Sequence, residues 1–423
     1  MIIRFIYTAL LTLAAPFLLY SLYRSQSNKP TYGKRWTEHF GITPKLTTNH
    51  RPIWIHAVSV GESIAATPLI KELKKRYPKQ IILVTTTTST GAEQIEKLGD
   101  LVEHRYMPID FGFAVKGFLK AVNPTQMLII ETELWPNTLH QVSKFGVPIT
   151  VVNARLSERS RNNYSKFQPV FNIIEPCLTN ILCQTKSDAA RFERLGVDKN
   201  KLAITGSIKF DIQISDEVRE KGKTLRKELG ESRPVWIAAS THKGEDEQVL
   251  KAHEKVLESH PNALLILVPR HPERFDSVFE LSNNANFNSV RRTSNQTITA
   301  ETQVYLGDTM GEMLILMRAA DVCFMGGSLL GDKVGGHNVL EPIALEVPVI
   351  IGPSYFNFKT IVEDLIRIQG IIILKDSAKI TESINTLFQM SPSELENETK
   401  SSFSIMERNS GALTRTISNL DNT

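Results

Sequence analysis

The sequence predicts an α/β fold of two domains, each built around a parallel β-sheet. The chain has 423 residues, which is more than one hydrophobic core usually holds. Short apolar runs alternate with amphipathic helical stretches, the rhythm of βαβ units. One charged segment, Asp211–Arg233, interrupts this alternation and separates two similar halves. A hydrophobic content of 41% and a charged content of 22% are ordinary for a globular protein.

The predicted strands follow from apolar runs that are bounded by turn residues or helical periodicity. In the first half they are Ile53–Ala57, Ile81–Thr86, Met127–Glu131, Ile149–Asn153 and Ile181–Gln184, with helices such as Ser63–Arg76 and Ala92–Leu98 between them. In the second half they are Val235–Ala239, Ala263–Val268, Val304–Leu306, Val322–Met325, Val349–Ile351 and Ile371–Leu374. The polar tail after Ser391 is expected to be helical. Ligands of such sheets bind beyond the carboxyl ends of the strands.

The N-terminus predicts a membrane anchor. Phe5 to Tyr23 carries no charge and has the length of a membrane helix, although Pro16 is expected to kink it. A cleaved signal peptide is the alternative, but only Arg4 precedes the apolar run and no small-x-small site follows it. Arg24 to Arg51 then holds six Lys or Arg and one acid, which places the body in the cytoplasm by the positive-inside rule. A solvated linker is the other interpretation of these lysines. The predicted domains are residues 1–24, 25–211 and 212–423.

Charge and cysteine usage limit the function classes. The net charge is only +4, so nothing indicates a nucleic-acid partner. The three cysteines, Cys177, Cys183 and Cys323, lie in apolar contexts without metal-ligand spacing, as expected in a reducing compartment. Asp-x-Asp, a carboxylate pair for a metal-held nucleotide sugar, does not occur in the sequence. We therefore expect neither a metal nor a cofactor.

The most informative stretch is Ala320–Pro342. An apolar strand, Val322–Met325, is followed by five glycines, and His337-Asn338 is expected to open a helix. A strand, a glycine loop and a helix N-terminus form a cradle for an anionic or nucleotide ligand. Glu341, one turn into this helix, suits the hydroxyls of a ribose. An ordinary βα turn is the plain alternative.

Acidic residues follow two strands of the first half. Glu62 begins a helix after the first strand, where it suits either proton abstraction or simply the helix dipole. Glu131 and Glu133 follow another strand, and Glu131 is the better candidate for a catalytic role. The alternative is that one of the two glutamates is structural and forms an ion pair with an arginine. Lys209 lies at the domain junction, where it either points into the cleft or is a solvated hinge residue.

Three turns of the second half also follow strands or open helices. They are Ser240–Gly244, the LVPRHPER segment with Arg270, and GDTMGE from Gly307 to Glu312. Each turn alone is weak evidence for an anion site. Together with the glycine loop they favour one nucleotide site at a single sheet edge.

Eight ordered motifs resemble those of the 3-deoxy-D-manno-octulosonic acid (Kdo) transferases of Gram-negative bacteria. They are HAVSVGE, ETELWPN, NARLSERS, TGSIKFD, STHKGEDE, LVPRHPERF, GDTMGEM and GGHNVLEP, between residues 56 and 342. The resemblance implies a GT-B glycosyltransferase fold, in which two Rossmann-like domains face a central cleft. It also implies transfer of Kdo from CMP-Kdo to a lipid A precursor at the cytoplasmic face of the inner membrane.

The same resemblance assigns site residues in this sequence. It implies that Glu62 is the catalytic base and that Glu131 and Lys209 stabilise the transition state. The implied CMP contacts are Pro269, Arg270, Met310, Gly311, Glu312, Asn338, Val339, Leu340 and Glu341. A GT-B enzyme that uses a UDP-sugar, and a non-catalytic nucleotide-binding membrane protein, are the two alternatives.

Overall fold

The computed structural model describes residues 2–24, 30–46, 48, 50–212, 214–294 and 296–421. The chain forms two compact units. The N-terminal unit comprises Met1–Asp211 and Asn409–Thr423, and the C-terminal unit comprises Ile212–Arg408. Residues 409–423, which the sequence-based division assigned to the C-terminal domain, therefore group with the N-terminal unit. Residues 25–29, 47 and 49 of the predicted basic segment lie outside the described residues.

A parallel sheet of seven strands forms the centre of the N-terminal unit. The strands are β1 Ile53–His56, β2 Ile82–Thr86, β3 Glu103–Tyr106, β4 Gln126–Ile130, β5 Ile149–Ala154, β6 Asn180–Cys183 and β7 Leu202–Ile204. Their order in the sheet is β3-β2-β1-β4-β5-β6-β7, with Ile55 of β1 aligned with Val84 of β2 and Leu128 of β4. Side chains of the central strands are buried on both faces, as expected for a sheet covered by helices on each side.

Helices connect these strands and cover the sheet. They are α1 Ile2–Tyr23, α2 Val60–Arg76, α3 Ser89–Glu96, α4 Gly112–Val122, α5 Pro136–Lys144, α6 Glu158–Lys166, α7 Gln168–Ile174 and α8 Lys186–Arg194. Short 3-10 helices occur at Gly33–Phe40, Gly99–Leu101, Glu175–Cys177 and Lys199–Lys201.

Helix α1 combines an apolar outer face with a partly buried inner face. Arg4, Thr8, Leu11, Ala15 and Leu19 are partly buried at helical spacing, so one stripe of the helix faces the unit along most of its length. Large apolar side chains on the other face are exposed. In the described part of the chain, α1 alone has the length and apolar composition to cross a membrane. These properties are compatible with an anchor.

The C-terminal unit repeats the architecture. Its seven parallel strands are β8 Val235–Thr241, β9 Leu264–Pro269, β10 Ser289–Arg291, β11 Val304–Leu306, β12 Val322–Met325, β13 Val349–Ile351 and β14 Ile372–Ile373. Their order in the sheet is β10-β11-β9-β8-β12-β13-β14. The helices are α9 Asp216–Leu229, α10 Asp246–Ser259, α11 Phe275–Asn284, α12 Met313–Arg318, α13 Leu340–Ala344, α14 Lys359–Arg367, α15 Lys379–Gln389 and α16 Pro392–Asn409. Short 3-10 helices occur at Pro272–Arg274, Gly331–Lys333 and Phe356–Phe358.

The final helix, α17 Ala412–Asp421, belongs to the N-terminal unit. Its Asp421 accepts a hydrogen bond from the Tyr77 hydroxyl at 2.6 Å and pairs with Arg76 at 2.7 Å. The predicted helical tail after Ser391 is therefore confirmed, and its last helix packs beside α2. Because Tyr77 directly follows α2, these contacts fix the tail to the first sheet.

Candidate active site

Glu62 lies at the start of α2, directly after the loop that leaves β1. Ser59 is the N-cap residue, and the Glu62 amide donates to its hydroxyl at 3.4 Å. The Glu62 carboxylate accepts in return from the Val58 amide at 2.7 Å and from the Ser59 hydroxyl at 2.9 Å. This reciprocal pattern is a variant of the capping box. The cap holds the carboxylate in one orientation at the carboxyl end of β1.

The pKa of Glu62 is raised from 4.5 to about 7. Burial is the main cause, and the negative charges of Glu131 and Glu133 raise the pKa further, while the bonds from Val58 and Ser59 oppose the shift. Glu62 is therefore divided between its protonated and ionised forms near neutral pH. A carboxylate with this pKa is suited to accept a proton from a hydroxyl group.

Glu131 follows β4 and pairs with Lys209. The Lys209 ammonium contacts the Glu131 carboxylate directly, and the lysine side chain is only 12% exposed. The lysine is therefore not the solvated hinge residue of the plain alternative. Glu131 also has a φ of +64°, a left-handed conformation that is uncommon for a residue with a side chain. Such backbone strain is frequent at functional sites, because it fixes the direction of a side chain.

The turn that carries Lys209 is held by side chains from two distant parts of the unit. The Ile208 amide donates to Asn153 at 3.2 Å, and the Ser207 amide donates to Asn409 at 2.8 Å. The Asp211 carboxylate accepts from two backbone amides just before and within α17. The C-terminal tail therefore fixes the backbone around Lys209. The N-terminal unit thus brings together all three predicted catalytic residues.

In the C-terminal unit, Pro269 is the last residue of β9 and Arg270 follows it. The Arg270 amide donates to the Thr241 carbonyl at 2.9 Å, which ties the turn to the end of β8. Among the described residues, no hydrogen bond or ion pair engages the Arg270 guanidinium. By contrast, Arg274 contacts the buried Asp246 carboxylate. Arg270 is therefore the cation of this turn that remains available for an anionic ligand.

The turn before α12 holds the next three predicted residues. Met310 is 67% exposed, and Gly311 has a φ of +84° with open space where a side chain would lie. The Glu312 carboxylate accepts two hydrogen bonds from Arg292, at 3.1 and 3.0 Å. These bonds are the main reason that the pKa of Glu312 is lowered. Glu312 is thus ionised and held in place by Arg292.

The glycine loop ends differently from the expectation. The helix begins at Leu340 rather than at His337-Asn338, with Val339 as the N-cap residue and Glu341 in its first turn. The Asn338 side-chain oxygen, just before the cap, accepts from the Leu340 amide at 3.2 Å. The Asn338 amide group donates to Glu341 at 3.1 Å, so the two predicted residues lie together. Val339 and Leu340 are buried as whole residues, at 1% and 2% exposure, so these two predicted contacts offer almost no accessible surface to a ligand.

Sequence reasoning missed the role of Glu245. This carboxylate is fully buried and accepts from the amides of Gly327, Ser328 and Leu329 at 2.7 to 3.0 Å. It also accepts from the His242 amide at 3.0 Å. The amides at the start of the glycine loop are therefore bound within the protein, and they are not part of the expected anion cradle. The STHKGEDE motif contains three acids, of which Glu245 and Asp246 are buried, and spacing alone does not show which one binds the amides of the glycine loop.

Three histidines lie together in the same unit. The rings of His242 and His337 are stacked at 5.1 Å, with 2.8 Å between their Nε2 atoms, and His271 meets His242 edge-on at 5.4 Å. Burial and then the charges of His271, Arg274 and Arg270 lower the pKa of His242 to about 4. His242 is therefore neutral at physiological pH, and Arg270 lies close enough to influence it.

Comparison with known proteins identifies the family. A family model described as 3-deoxy-D-manno-octulosonic-acid transferase (kdotransferase) matches residues 34–212, and one described as glycosyl transferases group 1 matches residues 237–402. The 3-deoxy-D-manno-octulosonic acid transferase of Haemophilus influenzae is 40% identical over 416 residues, which cover 98% of this chain and 97% of that protein. The chain belongs to the 3-deoxy-D-manno-octulosonic acid transferase family. The Bordetella pertussis member is 36% identical over 327 residues, 74% of each protein.

The solved structures show what this Kdo transferase is similar to. The C-terminal CMP-Kdo binding domain of WaaA from Acinetobacter baumannii is 38% identical; the match covers 46% of this chain and 100% of that domain, with a TM-score of 0.44. UDP-GlcNAc 2-epimerase from Neisseria meningitidis is 11% identical over 88% of this chain, with a TM-score of 0.50, a likeness of fold alone. The two parallel seven-stranded sheets are those of a GT-B glycosyltransferase. The protein is thus a Kdo transferase of lipopolysaccharide biosynthesis.

Proposed function

We propose that this transferase moves Kdo from CMP-Kdo to a hydroxyl group of the lipid A precursor, with inversion at the anomeric carbon and without a metal ion. The observation that carries the proposal is Glu62, whose pKa of about 7 suits a general base and which lies beside the Glu131–Lys209 pair. Transfer of an activated sugar to an alcohol needs one group that removes the hydroxyl proton.

In this mechanism the acceptor hydroxyl lies against Glu62 and gives up its proton as its oxygen attacks the anomeric carbon. The bond to CMP breaks on the opposite face, through an oxocarbenium-like state, as in other inverting reactions of sugars. Kdo carries its own carboxylate, and the Lys209 ammonium supplies a positive charge that suits it. Glu131 holds that ammonium in place through their ion pair.

We assign the donor nucleotide to the C-terminal unit. Arg270 provides a guanidinium for the phosphate, and the exposed residues Met310 and Gly311 follow β11, the strand that pairs with β9. Asn338 and Glu341 lie together and suit the ribose hydroxyls. Glu312, held by Arg292, completes the set of proposed contacts. Negative charge that develops on the departing phosphate would be stabilised by fixed cations and amides rather than by solvent.

The proposed independence from metal follows from the same residues. Within the described ranges, no group of three or more His, Cys, Asp or Glu side chains has an arrangement that could hold a metal ion. Lys209 and Arg270 offer the positive charges that a metal would otherwise supply to the donor. We therefore propose that CMP-Kdo is used as a substrate without a further cofactor.

We propose that α1 attaches the enzyme to the cytoplasmic side of the inner membrane. Its exposed apolar face needs an apolar environment, and the chain that follows is rich in Lys and Arg. Anionic headgroups would attract these cations. Fractionation of cells that produce the chain with and without residues 1–24 tests this attachment: the full chain sediments with the inner membrane, and recovery of both forms in the soluble fraction would refute it.

Competition between nucleotides tests the donor assignment. Purified protein is mixed with CMP-Kdo and an acylated acceptor, and CMP or UDP is added at increasing concentration. We expect CMP to inhibit the transfer and UDP to have little effect, because the proposed contacts recognise a cytidine monophosphate leaving group. Equal inhibition by UDP would contradict the CMP assignment. Binding of CMP without any transfer would show that the protein is not catalytic.

A further inference from the structure

An apolar groove lies along α1 in the N-terminal unit and has a volume of 810 Å³. Ile6 and Leu10 of α1 form one wall, and Phe167 and Val170, at the junction of α6 and α7, form the other. Residues of the segment Leu134–Pro136 line the groove as well. This volume lies within the range of about 300–1,000 Å³ that is typical of pockets for organic ligands.

Polar contacts fix the α1 wall of this groove. The Tyr7 hydroxyl donates to the Asp110 carboxylate at 2.9 Å, and the Asn137 side chain donates to the Thr8 hydroxyl at 3.0 Å. Asp110 and Asn137 are both buried, and the Asn137 side chain also donates to the Asp110 carbonyl at 2.8 Å. Buried polar groups that are fully paired define one geometry. The groove is therefore part of the folded unit.

One side of the groove continues into the apolar surface of α1. Ile6 and Leu10 line the groove and are also exposed, as are Phe5 and Leu13 on the neighbouring face of the helix. No charged side chain occurs from Phe5 to Tyr23. A hydrocarbon chain that contacts this face of α1 would reach the groove without crossing a charged surface.

The lining residue Trp135 places the groove beside the Glu133 carboxylate. Trp135 lines the groove, and its indole N–H donates to Glu133 at 3.1 Å. Tyr164 also lines it, and its pKa is raised to about 12, by burial and then by the charge of Glu133. The charge of Glu133 acts on Glu62 as well. The groove therefore joins the apolar helix to the region of the proposed base.

We propose that this groove binds a fatty-acyl chain of the lipid acceptor and so positions the acceptor sugar at Glu62. The inference rests on the proposed function, because it needs an acylated acceptor. An acyl chain fits the apolar lining, and each buried methylene group improves affinity by about fourfold. An uncharged groove that adjoins the Glu133 carboxylate suits a ligand with an apolar tail and a polar head that carries hydroxyl groups.

A matched pair of substitutions tests the proposal. Phe167 lines the groove and is 67% exposed, while Phe113 in α4 is 62% exposed and does not line it. The variants Phe167→Glu and Phe113→Glu are compared with the unchanged enzyme, using the acylated acceptor and a fully deacylated acceptor in detergent. We expect Phe167→Glu to lower kcat/KM for the acylated acceptor at least tenfold more than for the deacylated one. Phe113→Glu should leave the ratio of the two values unchanged.

The possible outcomes distinguish a failure of the groove proposal from a failure of the proposed function. If the unchanged enzyme transfers Kdo to neither acceptor, the proposed function is wrong. If it transfers Kdo but Phe167→Glu leaves the ratio unchanged, the groove proposal alone is wrong. Equal losses in both phenylalanine variants would assign the effect to general contact with membrane lipid and would also overturn the groove.

If Phe167→Glu does not fold, which a thermal unfolding measurement would detect, a second variant still tests the proposal. Val170→Trp fills the groove without adding charge. We expect it to shift the preference towards acceptors with shorter acyl chains, with a tenfold or greater loss for the longest chain. An unaltered chain-length preference would refute the proposal.

Discussion

Replacing Glu62 by glutamine separates its proposed role in catalysis from its role in the helix cap. Glutamine has the same shape and serves in capping boxes, so the contacts with Val58 and Ser59 are largely kept. It cannot accept a proton at neutral pH. Loss of a general base costs about 10²–10⁴-fold in rate, or about 3–5 kcal/mol in the activation free energy. We expect kcat of Glu62→Gln to fall by this amount at pH 8.

The pH profile of the unchanged enzyme gives the second part of this prediction. With a pKa of about 7, Glu62 is about 9% ionised at pH 6 and about 91% ionised at pH 8. The rate of Kdo transfer from CMP-Kdo should therefore rise about tenfold between these values and level off above them. A flat profile from pH 5.5 to 8.5, or Glu62→Gln activity within tenfold of the unchanged enzyme, would refute the assignment of Glu62 as the base.

Stability provides an independent check on the pKa of Glu62. A carboxyl group whose pKa is raised by folding binds its proton more tightly in the folded state. Its contribution to stability is therefore complete below about pH 4.5 and is lost as the pH rises through about 7. A rise from 4.5 to about 7 corresponds to about 3 kcal/mol, which partial solvent access reduces to about 1–2 kcal/mol. From pH 5 to pH 8, Glu62→Gln should gain this amount in free energy of unfolding relative to the unchanged protein.

Four further predictions concern other groups. Lys209→Met should lower kcat at least about 100-fold, because Glu131 loses its counter-ion and the reacting centre loses a cation. The control is Lys199→Met, which removes a lysine from an exposed surface ion pair and should leave steady-state rates unchanged. Arg270→Ala should raise the KM for CMP-Kdo by about 10–100-fold, and a larger effect on the acceptor KM would contradict its assignment. Addition of EDTA should leave the initial rate unaltered; a loss that Mg²⁺ restores would disprove metal independence. Glu245→Ala should lower the free energy of unfolding by about 2–4 kcal/mol in denaturant titrations, since four amides, two of them buried, lose their acceptor. A loss below about 0.5 kcal/mol would contradict that role.

The central strands of both sheets were predictable because burial on both faces leaves an apolar run in the sequence. Val304–Leu306, Val322–Met325 and Val349–Ile351 have the predicted bounds. The prediction missed β3, β7 and β10, and each of these lies at the edge of its sheet. Edge strands are short and partly exposed. The residues of β3 and β10 are therefore mixed in polarity and resemble a loop, whereas β7 is apolar but only three residues long. The sequence Glu103–Tyr106 shows this, with three polar residues in four.

The catalytic candidates in the N-terminal unit can be recognised in the sequence because they follow predicted strands. The residues that they contact in the fold could not be predicted. The pair between Lys209 and Glu131 joins residues from distant parts of the chain, whereas the sequence offers an arginine as the alternative partner. The burial of Glu245 depends on how two loops meet, which no local pattern records. The bond from the Leu340 amide to the Asn338 side chain is local, and it keeps Asn338 at the start of this helix as predicted, although the helix begins two residues later than expected. Local chemistry was thus predictable, and long-range pairing was not.

The mass of the product formed by the purified enzyme tests the central claim most directly. The enzyme is incubated at pH 8 with CMP-Kdo and a tetraacylated lipid A precursor, in parallel with Glu62→Gln. We expect the precursor to gain the mass of one or more Kdo residues, with CMP released, and the variant to give little or no product in the same time. An unchanged precursor mass with the intact enzyme, or equal product with Glu62→Gln, would contradict the account.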